Sequence, residues 1–551
     1  MLDWLRNYRR ADLAGDVGAG IIVAMMMIPQ GMAYALVAGL PPVAGLYASI
    51  VPALLYALVG SSGTQSVGPM AIISLMTASA LAPLAAARSD LYIELAGQLA
   101  LLSGAVLLAC GLLRVGFLAN FFSRPVMNGF TLGSAVVIAL GQLDTLLGVR
   151  FSLDHPFNMH GPSAALGIAA IALLLLARRF GARLLRRFGL GPAAADIGAR
   201  LAPMVLVLAS IVVVSAFGLD RLGVRVIGQV PSGLPHLLLD TSVERWQLLV
   251  KPALLIGFMS FLIAMSGAQA LAQKRAEKLH TNRELVGLGL ANLGSAMSGG
   301  FPVTGSLSRS AVNFAAGART QLAGVLSALM LAAALVLPTG WLATLPLPVL
   351  AATIIVAVLG MLELGTLRTA WRYDRADALA LAATFSGVLL LGVEAGVVLG
   401  LVLSLGTMIW RESRPHIAVL GRIAGTEHFR NIERYPARTD SRVLLLRVDA
   451  GLFFGNVEAV NARIDEELAA HPGARHLVLV LSAVNAIDTS ALFGLLELNH
   501  KLGARGIRLH LAEVKGPVMD RLKASKLFDQ LNGNVFLSTA NAWDALAHNE
   551  A

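Results

Sequence analysis

Residues 299–313 read GGFPVTGSLSRSAVN, with long apolar stretches on both sides. Pro302 has no N–H to give and would break a helix running through it. Beyond it come the hydroxyls of Thr304, Ser306, Ser308 and Ser310, with the bare cation Arg309 among them. Backbone left unpaired in hydrocarbon is costly, so a membrane span can be interrupted only where it faces protein or a watery cavity. The stretch therefore reads as a loop followed by a half-helix beginning near Ser306. The first turn of such a helix has free N–H groups and about half a positive charge, which suits an anion. Arg309 falls in that turn, where an arginine at mid-span costs about 2.5–3.5 kcal/mol even on the lenient insertion scale. An anion bound near Gly305, Ser306, Ser308 and Arg309 would offset that cost. A lipid headgroup, or a buried carboxylate such as Glu363 or Glu394, is the competing partner.

The surrounding chain has the composition of a membrane protein. Of 551 residues, 56% are hydrophobic and 14% are charged, and mean hydropathy is +0.72; soluble domains carry about 25% charged residues. Spanning-length apolar runs recur from about Asp16 to Trp410, and after Arg411 the sequence turns mixed. The expected division is a transmembrane transport domain, 1–412, and a soluble domain, 413–551. The net charge of +10 sits largely in short connections, for example Arg178/Arg179/Arg183/Arg186/Arg187 and Lys274/Arg275/Lys278. The positive-inside rule accounts for that placement, so no nucleic-acid partner is indicated. Cys110 is the only cysteine, so neither an intrachain disulfide nor a zinc–thiolate site can form. No metal or other cofactor is expected. The absence of a Gly-Lys pair excludes a P-loop pump, and no cleavable signal pattern precedes the first span.

Fourteen apolar segments can be counted, at about 17–38, 42–59, 67–80, 92–113, 125–143, 162–178, 199–217, 248–272, 284–298, 306–314, 321–337, 347–362, 376–392 and 395–411. An even count puts both termini on one side. With that side cytoplasmic, the arginine-rich connections after spans six, eight, twelve and fourteen are cytoplasmic too. Fourteen is also two sevens, and the third segment of each seven is short and broken. The first copy is TQSVGPMAIISLM (64–76), with Gly68-Pro69 ahead of its apolar run. An odd number of spans per repeat inverts the second copy. The expected fold is thus a polytopic α-helical membrane protein of 14 transmembrane segments in two inverted repeats, with spans 3 and 10 as broken half-helices. Paired interrupted spans at matching places mark a transporter's binding site. Their N-termini, near Ser66–Pro69 and Gly305–Ser308, would face each other across a small electropositive pocket. Gly392, Gly396 and Gly400 form a small-residue ridge on the last span, suited to close helix packing.

The stretch PQGMAYALVAGLPPVAGLYASIVPALLYALVGSSGTQSVGPMAIISLM (29–76) resembles the signature of the sulfate permease family, known in animals as the solute carrier 26 family. The block NRELVGLGLANLGSAMSGGFPVTGSLSRSAVN (282–313), with GARTQLAGV after it, resembles the same family, and the likeness covers essentially the whole chain. It implies seven-plus-seven inverted repeats, a core of spans 1–4 and 8–11, a gate of spans 5–7 and 12–14, and elevator-like movement. It also implies a site lined by Gln30 and Tyr34, the Gly68-Pro69-Met70 turn, and Ser308 with Arg309. Many relatives carry an acidic residue midway along span 8. Here that span reads LLIGFMSFLIAMSGAQALAQK, with Ile263 near the acidic position and no carboxylate before Glu277. Sodium coupling through that position is not expected. Glu94, Asp144, Glu363 and Glu394 are the visible candidates to carry a proton.

Past Pro415, RVLLLRVDAGLFF (442–454), RHLVLVLSAV (475–484), IRLHLAEV (507–514) and NVFLS (534–538) read as strands alternating with helices, an α/β domain around a central sheet. LSAVNAIDTSALFGLLEL (481–498) resembles the heart of a STAS domain. That resemblance makes Thr489, beside Ser490, a candidate for regulatory phosphorylation; helix capping by Asp488 or Thr489 explains the same residues. The expected function is secondary active transport of a small anion: sulfate, a C4-dicarboxylate such as fumarate or succinate, or bicarbonate. Proton symport or anion exchange would drive it, in a homodimer of the bacterial inner membrane with the N-terminus and STAS domain cytoplasmic. No enzyme activity is expected. An uncoupled anion channel of the same fold, or a membrane-tethered STAS signalling protein, is the alternative.

Overall fold

The computed structural model describes residues 3–6, 8–117, 123–152, 155–235, 245–275, 277–337, 339–360, 362 and 364–547. Glu363, one of the expected carboxylate partners, lies outside them. The chain forms two compact units, Met1–Ser404 and Leu405–Ala551.

A helix occupies each of the expected ranges up to Ser413, the last of them running past the end of the first unit. The first seven are α1 (Leu13–Val37), α2 (Pro42–Val59), α3 (Ala71–Leu81), α4 (Asp90–Leu112), α5 (Arg124–Gly141), α6 (Gly161–Leu176) and α7 (Ala202–Phe217). The second seven are α8 (Trp246–Arg275), α9 (Thr281–Met297), α10 (Leu307–Ala315), α11 (Leu322–Val336), α12 (Leu347–Leu359), α13 (Arg375–Leu391) and α14 (Val393–Ser413). Among the described residues, seven helices have the length and apolar content to cross a membrane, or eight if the bent pair Ala194–Arg200 and Ala202–Phe217 counts as one span. The remaining segments are shorter, and α3 and α10 have only 11 and 9 residues.

Each of those two short helices follows a two-residue strand, β1 (Val67–Gly68) before α3 and β2 (Thr304–Gly305) before α10. The strands pair antiparallel, Val67 with Gly305 and Gly68 with Thr304. This pairing was not anticipated from the sequence. It uses the backbone groups freed when each span breaks, which would otherwise be orphans in an apolar interior. Around it, α4 and α9 approach so closely that a Cβ on Gly104 would sit 2.9 Å from the Gly289 carbonyl oxygen. The glycine ridge on the last span is real only in part. Gly396 and Gly400 pack tightly within the unit, against Val388 and Thr384. Gly392 instead ends α13 with φ +93 and is not in α14.

The second unit is an α/β domain. Its strands are β3 (Ile417–Arg422), β4 (Phe429–Asn431), β5 (Val443–Val448), β6 (His476–Val480), β7 (Arg508–Ala512) and β8 (Val535–Phe536). The sheet order is β8-β7-β6-β5-β3-β4, with β5 to β8 parallel and β3 antiparallel to both neighbours. The parallel strands are covered on both faces, and Leu444–Leu446 and Leu477–Val480 are continuously buried. Helices α15 (Val457–Ala470), α16 (Thr489–Ala504), α17 (Gly516–Lys523) and α18 (Thr539–Ala547) cover it. The four strands expected are present, each shorter than its apolar run. The antiparallel edge formed by β3 and β4 was missed, because their residues alternate or are too few to stand out.

Candidate functional site

The site grows from the two breaks. After α2 the chain runs non-helically from Gly60 to Met70, apart from β1. Glu284 on α9, fully buried, clamps the start of this run. Its carboxylate accepts from Ser61 N and Ser61 Oγ at 2.7 Å, Ser62 N at 3.1 Å and Tyr56 Oη at 2.8 Å. The second break is held by the same helix. Asn292 Oδ1 accepts from Val303 N at 2.9 Å while its Nδ2 donates to Val303 O at 3.0 Å, and Ser295 Oγ donates to Phe301 O at 2.6 Å. Thr304 Oγ1 donates to the Ser260 carbonyl of α8 at 2.5 Å.

These anchors set the two half-helices nose to nose. Met70 and Ser306 are the N-cap residues of α3 and α10, and neither helix has a side-chain cap. The first N–H groups of both helices therefore keep no internal acceptor, and both macrodipoles present their positive ends. The far end of α10 is neutralised separately. Arg275 Nη1 donates to Ala318 O at 2.6 Å, and its guanidinium lies 4.2 Å above the Phe314 ring.

Arg309 crosses from α10 to the other break. It is 1% exposed. Its Nη1 donates to Pro69 O at 2.8 Å and its Nε to Ser66 Oγ at 3.3 Å. Ser310 Oγ accepts from Ser66 N at 2.9 Å, and Ser306 N donates to Ser66 O at 2.9 Å. The Nη2 amide edge has no protein partner among the described residues. The guanidinium is thus aimed by two bonds and offers its third side to something else.

The expected lining residues fall into three groups. Gly68, Pro69, Gly305, Ser306 and Arg309 come together in the strand pair and the bonds just described. A Cβ on Gly68 would lie 3.5 Å from Arg309 Nη2 and 2.7 Å from Met27 Cε, so α1 passes this point one turn before Gln30. Ser308 is exposed at the surface of the cradle and shares a 3.2 Å hydroxyl contact with Ser306. Met70 packs into the core and contributes backbone at the cap of α3. Tyr34 is buried within electrostatic range of Arg309. Gln30 Oε1 is buried and has no partner among the described residues.

Sequence reasoning placed Ser66 and Ser310 in the two breaks without giving either a role in the site, and it missed Asn292 and Glu284. The signal available was polar spacing inside apolar helices: Ser306, Arg309/Ser310 and Asn313 lie on one face of α10, and Asn292 and Ser295 on one face of α9. Among the other carboxylates considered, Glu94 pairs with Arg245 at 3.2 Å and Asp144 is exposed. No cluster of His, Cys, Asp or Glu able to hold a metal occurs among the described residues.

In the second unit Asp488 caps α16, accepting from Ala491 N at 2.8 Å and from Phe454 N at 2.9 Å. Thr489 and Ser490 are both exposed beside that cap.

Two broken segments joined by a strand pair hold a buried arginine between them, in a chain that also carries an α/β domain. Comparisons with known proteins give the class. Residues 13–384 match the model of the sulfate permease family and residues 434–542 that of the STAS domain. A probable sulfate transporter of Mycobacterium tuberculosis is 36% identical over 98% of this chain and 96% of its own length. The chloroplastic sulfate transporter 4.1 of Arabidopsis thaliana is 34% identical over 92% of this chain and 76% of its own. Among solved structures, the murine solute carrier 26 family member A9 anion transporter, in its inward-facing state, superposes with a TM-score of 0.88. It is 21% identical, over 98% of this chain and 92% of that one. The transmembrane domain of a cyanobacterial bicarbonate transporter, BicA, has the same fold over 71% of this chain and 98% of its own, at TM-score 0.61 and 22% identity. This chain belongs to the sulfate permease family: it is a multi-pass membrane anion transporter with a C-terminal STAS domain.

Proposed function

We propose that the protein is a secondary active transporter of a small oxyanion, with sulfate first in line, C4-dicarboxylates or bicarbonate being the other candidates. The buried Arg309 guanidinium carries this reading. It is fixed between the N-termini of α3 and α10, with its Nη2 edge unpartnered. The anion would accept from that edge, from the free N–H groups of both helices and from the Ser308 hydroxyl, with Gln30 and Tyr34 of α1 closing the pocket. The relatives named as sulfate transporters support the choice of anion.

In this reading the fourteen helices are fourteen spans in two inverted repeats. Spans 1–4 and 8–11 carry the anion past a gate formed by spans 5–7 and 12–14. The bacterial inner membrane holds a homodimer with the N-terminus and STAS domain cytoplasmic, and Thr489 or Ser490 is open to regulatory phosphorylation. Importing a dianion against 100 mV costs about 4.6 kcal/mol, so a proton or an exchanged internal anion must compensate.

The test is uptake of labelled sulfate, fumarate, succinate, bicarbonate and chloride into proteoliposomes, with and without an inward proton gradient, beside Arg309→Ala. Saturable uptake of one anion that rises with the gradient and is lost in the variant supports the proposal. Uptake indifferent to Arg309→Ala moves the site elsewhere, and large uncoupled currents favour a channel.

A further inference from the structure

Helix α6 does not stop where a span could. The helical run continues from Gly161 to Arg187, 27 residues in all. At 1.5 Å per residue that is about 40 Å, against a hydrocarbon core of about 30 Å. Its last turns therefore pass into the headgroup layer. A π-helical turn, Ala177–Gly181, stands at this exit, and the helix Ala182–Arg187 follows it. Gly189, at φ +88, then reverses the chain, and Pro192 opens a second arm, Pro192–Arg200. The two arms close into a hairpin. A Cβ on Gly198 would lie 2.8 Å from Leu185 Cδ1, and one on Gly181 would lie 3.3 Å from Ala199 Cβ. Arg186 pairs with Asp196 across the hairpin at 2.9 Å.

What the first arm leaves uncovered is ordered. Phe180, Leu184 and Phe188 recur every four residues along one flank and are 44%, 54% and 75% exposed. Arg179, Arg183 and Arg187 recur at the same interval along the neighbouring flank, and all three are exposed. The Arg179 guanidinium stands 5.5 Å from the Phe180 ring, where the two flanks meet. Asp196 is the only acidic residue in 177–200, and Arg186 takes it. The positive-inside rule accounts for the side on which these arginines lie, and it does not dictate a spacing of four. Water offers nothing to the apolar flank and hydrocarbon nothing to the basic one. At the headgroup level both are satisfied: apolar side chains enter the acyl boundary while guanidinium groups meet phosphate.

We infer that the hairpin 177–200 is a binding site for anionic phospholipid, with headgroup phosphate on Arg179, Arg183 and Arg187 and acyl chain against Phe180, Leu184 and Phe188. Each such cation is worth about fivefold in attraction to a negatively charged leaflet. A free oxyanion has no acyl chain to cover the apolar flank, so the lipid is the occupant that fits both. The second arm lies against α10, whose far end is held by Arg275. An occupied hairpin thus stands beside the half-helix that carries Arg309. None of this depends on which anion the cradle takes, only on α6 being a span.

Fluorescence quenching tests it without any transport, so failure of the anion site is told apart from failure of this one. The intact protein carries Cys110→Ser and Leu184→Cys, labelled with a fluorophore at the new thiol. It is placed in phosphatidylcholine vesicles that contain either brominated phosphatidylglycerol or the same fraction of brominated phosphatidylcholine. The expected result is quenching several-fold stronger by the phosphatidylglycerol, weakened by salt. Arg179→Gln, Arg183→Gln and Arg187→Gln together should abolish that preference. The single Arg183→Gln, a lighter burden on folding, should lower it in part, and lysine at all three positions should keep most of it. Equal quenching by the two lipids overturns the inference, as does a preference that survives the triple glutamine variant. Quenching by neither lipid places something other than the bilayer on the flank and overturns it too. Displacement of the phosphatidylglycerol by inorganic phosphate would make this a site for free oxyanions, with the same consequence.

Discussion

The broken segment of the first half, 64–76, and that of the second half, 302–315, meet as a strand pair, yet they contribute different chemistry. Helix α3 is lined by buried apolar side chains, among them Ala71, Ile72, Ile73 and Met76. What its segment gives to the pair is mainly backbone: Thr64 O, Ser66 N, Ser66 O and Pro69 O. Helix α10 carries a polar face of Arg309, Ser310 and Asn313, and all three reach across to that backbone. The two halves share a strand-then-half-helix plan, while the first supplies mainly backbone groups and the second supplies side chains. The cost of burying a cation thus falls on α10 and is offset in part by the Pro69 carbonyl and the Ser66 hydroxyl at the break in the other half.

The halves also brace each other through buried carboxylates. Glu284 of the second half grips Ser61 and Ser62, just before β1. Asp16 of the first half accepts from Arg319 N at 2.7 Å and Thr320 N at 3.1 Å, just after α10, and from Thr320 Oγ1 at 2.6 Å. Each loop beside a half-helix is therefore fixed by a carboxylate from the opposite half of the chain.

The largest expected effect breaks the donor side. Arg309→Ala should abolish saturable anion uptake in proteoliposomes. Arg309→Lys keeps the charge but not the fork that spans Ser66 and Pro69, and should lower uptake about 10- to 100-fold, the worth of one or two charge-assisted bonds. Equal activity of Lys and Arg at this position would show that the cross-half geometry is dispensable.

Next comes the bracing. Glu284→Ala strands Ser61 N, Ser62 N and Tyr56 Oη together, and should lower unfolding stability by about 3 kcal/mol, read by thermal unfolding in detergent. Tyr56→Phe removes a single donor and should cost about 1 kcal/mol. If both variants unfold like the native protein, the clamp is ornamental.

Two glycines sharpen the contrast between halves. A Cβ on Gly305 would fall 1.8 Å from Gln65 Nε2 and push that side chain off Ala264 O, whereas one on Gly68 meets chiefly the flexible end of Met27. Gly305→Ala should therefore raise the KM for the anion several-fold more than Gly68→Ala does. The reverse order would place the binding surface on the first half.

The smallest effect lies outside both halves. In the second unit, Asn534 N donates to His510 Nδ1 at 2.9 Å, so the ring proton sits on Nε2 and is given to His476 Nδ1 at 3.1 Å. Burial, aided by His476 and Arg508, lowers the His510 pKa from 6.5 to about 4. With the folded value below the unfolded one, the unfolded chain binds more protons between those limits. The stability this group contributes is complete above pH 6.5 and is lost as pH falls toward 4. Intrinsic amide exchange slows as pH falls, so the readout is the protection factor: that of β6 and β7 in the intact protein should be lower at pH 5 than at pH 7, and His510→Phe should flatten that difference.

Much of this was legible in advance for identifiable reasons. Apolar runs must be helical in a membrane, so every expected range holds a helix. Pro302 and the Gly68-Pro69 pair cannot continue one, so the breaks at 68–70 and 302–306 stand where the residues put them. The strands Val443–Val448 and His476–Val480 of the second unit announced themselves by unbroken burial-type sequence. The edge strand Phe429–Asn431 did not, since three residues carry no period. Gly392 looked like part of a helical ridge by spacing alone, but spacing says nothing about a φ of +93.

By itself the sequence determined the membrane class, the two breaks, the arginine in the turn after the second, and the C-terminal α/β domain, because each depends on local composition or on a residue's own backbone limits. Only the tertiary structure decided where Arg309 points. Its partners Ser66 and Pro69 lie 243 and 240 residues away, and no periodicity spans that distance. They are brought together by a strand pair of two residues on each side and by carboxylates that each half lends to the other.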